Sequence, residues 1–274
     1  MIMTILTIQL MGGLGNQLFE IFTTMAHAIR NGMEFKFQNS TSLLIGTVRP
    51  TYWENLLDEL KPFLTDQNNL NFNNYNELAY TYNMLPNFTN DTKLFGYFQS
   101  LKYFEQELPL ILNILHIDDK ISAMRNRYAD LFNGSSFTSM HFRITGYRCI
   151  SDCHPVAPYE YYSKAINTLN PSHILFFHQP EDEEEVLQHI NRLSQEFPGI
   201  IFIQAPQDLE DWEQLLLMAC CDRHIIPNSS FSWWGAFLAS SKSVCYPLNW
   251  FGPNMTKTHN FVIKDMVLPS WIGI

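Results

Sequence analysis

Short apolar runs alternate with helical segments through the second half of the chain, and this alternation constrains the fold more than any other feature. Residues 137–143 (FTSMHFR) alternate apolar and polar side chains and read as a strand. Residues 158–169 begin with a proline and carry helical spacing, and ILFF at 174–177 reads as a buried strand. EDEEEVLQHINRLSQ at 181–195 reads as a helix whose acidic first turn suits the helix dipole. The strand IIFIQ, a helix over 208–221, the strand RHIIP, the helix SWWGAFLAS and the strand SVCYP continue the series. Strands separated by helices at this spacing predict a parallel sheet with helices on its faces.

The first half is less regular. ILTIQL reads as a strand and MGGLGNQ as a turn. Residues 17–31 form an amphipathic helix with Leu18, Phe22, Met25 and Ile29 on one face. MEFKF at 33–37 and KLFGYF at 93–98 read as strands, and 100–116 as a helix. The Asn- and Tyr-rich stretch 62–92 reads as mostly loop. The most polar join is FNGSS at 132–136, so the chain is expected to divide into α/β domains over 1–133 and 134–274. A length of 274 residues suits two domains. Each opens with a strand running into a ligand-like loop, which suggests a cleft at the carboxyl ends of parallel strands.

Composition narrows the function. Hydrophobic residues are 46% and charged residues 16%, which excludes intrinsic disorder. A net charge of -10 argues against a nucleic-acid coat or an anionic-lipid binder, but not against a small anion held by a few arginines. Cys149, Cys153, Cys220, Cys221 and Cys245 are odd in number and form no C-x-x-C pair, so a reduced, cytoplasmic protein is expected. The apolar start MIMTILTIQL has no basic segment before it and is too short to span a membrane, while peripheral membrane contact stays open. No D-x-D triplet exists to hold a metal on a diphosphate. D-x-E occurs at 182–184, 208–210 and 211–213, all within predicted helices, and EDEEE reads as a solvated helix start.

Three segments can carry chemistry. Gly12-Gly13-Leu14-Gly15-Asn16 follows the first strand and opens the first helix. Glycines there let a ligand approach the backbone, and Asn16 can serve as helix N-cap. A tight turn without a ligand explains the spacing equally well. His141 and Arg143 stand at a strand's carboxyl end, followed by Tyr147 and Arg148. An arginine there can fork onto a diphosphate; the plainer reading is a surface salt bridge. Asn228, Ser229, Ser230 and Ser232 open a helix and supply hydroxyls and an amide, either as an anion site or as a cap above core tryptophans.

In this order the three segments resemble the α-1,2-fucosyltransferase family, glycosyltransferase family 11. MGGLGNQLFE is similar to its N-terminal motif, HFRITGY sits where the family carries His-x-Arg-Arg-Gly-Asp-Tyr, and NSSFSWWGAFLA is similar to its C-terminal motif. The resemblance implies two Rossmann-like domains facing across a cleft (the GT-B fold). It implies a GDP-fucose donor held mainly by the C-terminal half, an N-terminal acceptor side, inversion at the sugar carbon, and no metal or other cofactor. The expected acceptor is a galactose-containing glycan. Carried over by position, His141 and Arg143 are the catalytic pair. Gly13, Gly15, Asn16, Tyr147, Arg148, Asn228, Ser229, Ser230 and Ser232 are the substrate-binding set. Ile144, Thr145 and Gly146 depart from the family's Arg, Gly and Asp, so Arg143 acts alone or Arg148 reaches back to replace the missing arginine. Glu20 stands where the family usually has Gln. Asp152 and His154 are the bases nearest in sequence, and each also reads as an ordinary surface residue.

Overall fold

The computed structural model describes residues 3–66, 72–239, 241, 243–258 and 261–274. The chain divides into two compact units, Met1–Asp118 with Val262–Val267, and Asp119–Phe261 with Leu268–Ile274. Both are α/β.

In chain order the first unit runs β1 (Ile5–Ile8), α1 (Leu14–Asn31), β2 (Glu34–Phe35), β3 (Phe37–Gln38), β4 (Ser42–Leu43), β5 (Arg49–Pro50), β6 (Leu64–Thr65), β7 (Asn73–Asn76), β8 (Thr92–Phe95) and α2 (Leu108–Ile114). Its main sheet has the order β2-β1-β8-β7 with every pair parallel. α1 buries Leu18, Phe22 and Met25, and Phe104 meets the Phe22 ring edge-on at 5.5 Å. Gly32, in the left-handed region at φ 63, ends the helix.

Several expectations shift here. α1 begins at Leu14 with Gly13 as its N-cap, so Asn16 lies inside the first turn and is not the cap. The Asn-rich stretch contributes β7, an edge strand formed by pairing with β8 against its own poor strand propensity. Residues 67–71 of that stretch lie outside the described residues. The strand expected over 93–98 stops at Phe95, because Gly96 and Phe98 take φ values of 152 and 50. The helix expected over 100–116 breaks into a short 3-10 turn at Leu101–Tyr103 and α2.

The second unit runs α3 (Ile117–Arg127), α4 (Ala129–Phe132), β9 (Phe137–His141), α5 (Thr145–Arg148), α6 (Tyr159–Leu169), β10 (His173–Phe177), α7 (Glu183–Glu196), β11 (Ile201–Gln204), α8 (Asp211–Ala219), β12 (Arg223–Ile225), α9 (Ser230–Leu238), β13 (Val244–Tyr246) and β14 (Ile272–Gly273). α3 and α4 go with this unit, so the division falls at Asp118–Asp119 instead of at the polar join. Their side chains are spent there: Arg125 donates to the Cys220 carbonyl, Arg127 pairs with Glu213 at 2.6 Å, and Phe132 packs edge-on against Phe137 at 5.6 Å.

The six-stranded sheet has the order β11-β10-β9-β12-β13-β14, parallel throughout. Counted from β9, that is 3-2-1-4-5-6, the doubly wound Rossmann order. The chain winds one way from β9 to β11 and then the other way from β12. The direction reverses between β9 and β12, so their carboxyl ends flank the crevice where such sheets take ligands. β9 is buried along its whole length, which fixes where the chain leaves it.

Candidate functional site

The residues that leave β9 and those that follow β12 meet at the switch point. Tyr147 Oη donates to the Asn228 carbonyl at 2.9 Å, and the His141 ring lies 5.6 Å from Phe231. The second and third motifs are therefore brought together inside one unit.

His141 ends β9 and is 6% exposed. Burial pushes its pKa down to about 3, and the nearby Arg143 and His178 add to the fall. The ring is neutral at pH 7, and its Nδ1 is buried without a partner. Arg143 is half-buried and lies over the Tyr147 ring, 5.4 Å from its centroid. A Cβ on Gly146 would sit 2.9 Å from the Arg143 Nη2, so the small residue in place of the family's Asp makes room for the guanidinium. Ile144 is 3% exposed and belongs to the apolar core with Phe142 and Ile166. The position of the family's second arginine points inward here.

Asp182 holds this loop, and sequence reasoning missed it. It is 2% exposed, although it is the second residue of the acidic run read as a solvated helix start. Its Oδ2 accepts from the Ile144 N–H at 3.1 Å and its Oδ1 from the Thr145 N–H at 2.9 Å, with the Thr145 hydroxyl as a third donor. A 3-10 turn at Pro180–Asp182 points the carboxylate inward before α7 begins at Glu183. The signal in the sequence was Pro180, which sets off the first acids of the run from the helix proper.

Arg148 faces a different direction. It pairs with Glu185 on α7, its side chain is 62% exposed, and it borders a hollow of about 570 Å³ also lined by Tyr159, Glu184, His189 and Arg192. His154 stacks on Tyr147 at 5.2 Å, burial lowers its pKa, and its Nδ1 is buried without a partner. The Asp152 side chain is exposed, and its carbonyl accepts from the Asn254 N–H at 2.9 Å.

Asn228 is 2% exposed, and its Nδ2 donates to the Pro155 and Trp250 carbonyls at 3.0 and 2.9 Å. It ties three loops together, and its Oδ1 is buried without a partner. Ser229 is the N-cap of α9 by backbone geometry alone, with no side-chain cap bond. Ser230 opens the helix and is half-buried. Ser232 is fully buried, its hydroxyl 3.4 Å from the Ser229 carbonyl. Trp233 and Trp234 are core residues, as the plainer reading of that segment has it. The first N–H groups of a helix have no partner within it and carry its positive dipole end.

In the first unit, Gly13 and Asn16 are half-exposed while Gly15 is buried inside the first turn of α1. Space is open where a Gly13 Cβ would stand, and Gly12 takes φ 72. Gln17 donates to the Gly12 and Pro50 carbonyls at 3.1 and 2.9 Å, and Glu20 accepts from the Met11 N–H at 3.0 Å. These two buried side chains hold the glycine turn from beneath.

Among the described residues no group of three or more His, Cys, Asp or Glu could hold a metal ion, and no helix is long and apolar enough to cross a membrane.

The model of glycosyl transferase family 11 matches residues 2–274. An O-antigen biosynthesis glycosyltransferase of Escherichia coli, WbnK, is 27% identical over 195 residues, covering 66% of this chain and 60% of that protein. An alpha-1,2-colitosyltransferase, also of Escherichia coli, is 24% identical over 269 residues, covering 86% of this chain and 88% of that protein. The structure of E. coli ADP-heptose lipopolysaccharide heptosyltransferase II covers 99% of this chain and 90% of its own, with a TM-score of 0.55 at 9% identity. That likeness shows the GT-B-type fold.

Proposed function

The chain belongs to glycosyl transferase family 11, and from that membership and the switch-point geometry we propose that it moves L-fucose from GDP-fucose onto a sugar hydroxyl, the 2-OH of a galactoside. One observation carries the reading. The half-buried Arg143 and the N-terminus of α9 stand at the carboxyl ends of β9 and β12, where a doubly wound sheet takes a nucleotide.

As the sugar–phosphate bond breaks, C1 becomes oxocarbenium-like and charge grows on the β-phosphate. A positioned guanidinium and helix-terminal N–H groups aimed there stabilise the transition state more than the ground state. Asp182 sets the loop that carries Arg143, and the Tyr147 ring lies beneath the guanidinium. His141 is uncharged beside it, so its ring adds no second cation. The second unit is then the donor side and the first the acceptor side.

A second reading keeps this chemistry and changes the sugar to colitose, which the name of the alpha-1,2-colitosyltransferase relative favours. A thermal-shift series tests the donor. GDP at about 100 times its dissociation constant should add roughly 2.7 kcal/mol of stability, with no comparable effect from UDP. A shift with UDP and none with GDP overturns the donor assignment. Transfer assays with GDP-fucose and GDP-colitose then separate the two sugars.

A further inference from the structure

Tyr147, the residue under the Arg143 guanidinium, is itself held in two ways. Its hydroxyl donates to the Asn228 carbonyl just before α9, and its ring stacks on His154, with centroids 5.2 Å apart and planes 26° from parallel. Arg143 lies over the same Tyr147 ring, 5.4 Å from its centroid. His154 in turn packs against Phe251, a buried ring whose centroid is 6.0 Å away. A guanidinium, a phenol, an imidazole and a phenyl ring thus form one connected row inside the second unit, from the switch point to the segment after β13.

The backbone on either side of His154 is tied down as well. The Cys153 and His154 N–H groups both donate to the Ile150 carbonyl at 2.8 Å. The Gly252 N–H donates to the Cys153 carbonyl at 2.8 Å, and the Asn254 N–H to the Asp152 carbonyl at 2.9 Å. A Cβ on Gly252 would run into the Asp152 carbonyl, so the absence of a side chain there lets the two segments close on each other. Pro155, next in the chain, accepts from Asn228 Nδ2 at 3.0 Å. These ties set where the imidazole stands relative to the residues that leave β9 and β12.

We propose that His154 is a positioning residue for transfer: its ring backs the Tyr147 ring and so fixes the direction of the Arg143 guanidinium. The proposal rests on the role given to Arg143 above. A guanidinium on a flexible stem stabilises a transition state best when its direction is set before the charge develops. An aromatic face supplies that direction by cation–π attraction, provided the ring cannot swing away. An uncharged imidazole suits the task. Burial lowers the pKa of His154, and its Nδ1 is buried without a partner, so no acceptor is in place to hold a proton there. Acting as a general base would need the imidazole nitrogens; backing Tyr147 needs only a flat ring.

Variants of the full chain separate these roles. His154→Ala should lower kcat with GDP-fucose about tenfold, at unchanged donor KM and unchanged GDP thermal shift, because a misdirected charge is felt most in the transition state. His154→Phe keeps a flat ring without nitrogens and should recover most of that loss. With Arg143→Ala already in place, adding His154→Ala should change kcat by less than about twofold, since no guanidinium is left to direct. A folded His154→Ala protein with the wild-type kcat overturns the proposal. So does His154→Phe as slow as His154→Ala, which would mean that a nitrogen is required, and so do losses that multiply in the double variant. If His154→Ala fails to fold, His154→Leu, apolar and without a ring, takes its place in both comparisons. Arg143→Ala at the wild-type rate sinks the reading of Arg143 and this proposal with it. A large loss in Arg143→Ala together with any of the contrary results for His154 sinks this proposal alone.

Discussion

Glu20 is a carboxyl group buried where a neutral amide would serve. It is fully enclosed beneath the glycine turn, and burial raises its pKa well above the usual carboxylate range. A group whose folded pKa lies above its unfolded value contributes stability at low pH. That contribution is complete below the unfolded value of about 4.5 and is lost as pH rises towards the folded value. Glu20→Gln keeps an acceptor for the Met11 N–H and removes the ionisation. The variant should therefore melt a few degrees higher than the wild type at pH 8, with the gap closing below pH 4.5. Melting curves across that range check it, and a gap that widens on acidification would contradict the upward shift of Glu20. The substitution was visible in the sequence as a departure from the family motif, but its consequence was not, because burial decides the sign. Ile144 and Gly146 are similar. Both read as losses from the His-x-Arg motif; in the fold, Ile144 is a core residue and Gly146 makes room for Arg143.

At the scale of elements, the second unit was legible because its strands are continuous apolar runs and its helices carry clear starts. α9, α6 and β9 through β13 lie close to where periodicity puts them. The failures share a cause: tertiary partners overrode local preference. β7 is built from NNYN and exists only through its ladder with β8. Pro180 sets Glu181 and Asp182 apart from the helix proper, but nothing in the sequence tells which of the two turns inward. The role of Asp182 can be measured. Asp182→Ala leaves the Ile144 and Thr145 N–H groups without their acceptor, at a cost of roughly 1–3 kcal/mol for such a buried loss. Asp182→Asn keeps one amide oxygen and should cost less. Chemical denaturation of the three proteins gives the order. Equal stability for Asp182→Ala and wild type would show that the loop after β9 is held by something else.

The whole molecule combines two parallel-sheet units, and the 3-2-1-4-5-6 order of the second puts the loops after β9 and β12 at the switch point, where sheets of this order take ligands. The motif order was readable from sequence because each motif follows a strand. The boundary was not, since a polar join looks like a linker even where the helices before it pack onward through Arg125, Arg127 and Phe132. Of the two arginines offered for the diphosphate, the structure pairs Arg148 with Glu185 and leaves Arg143 half-buried over Tyr147. The proposed role of Arg143, stabilising the departing diphosphate, is read out by the steady-state kinetics of Arg143→Ala with GDP-fucose. The variant should fold with the wild-type melting temperature and show kcat lowered by about 10²–10³, with Arg143→Lys recovering little because an ammonium lacks the planar fork. A folded Arg143→Ala protein that transfers at the wild-type rate would contradict it.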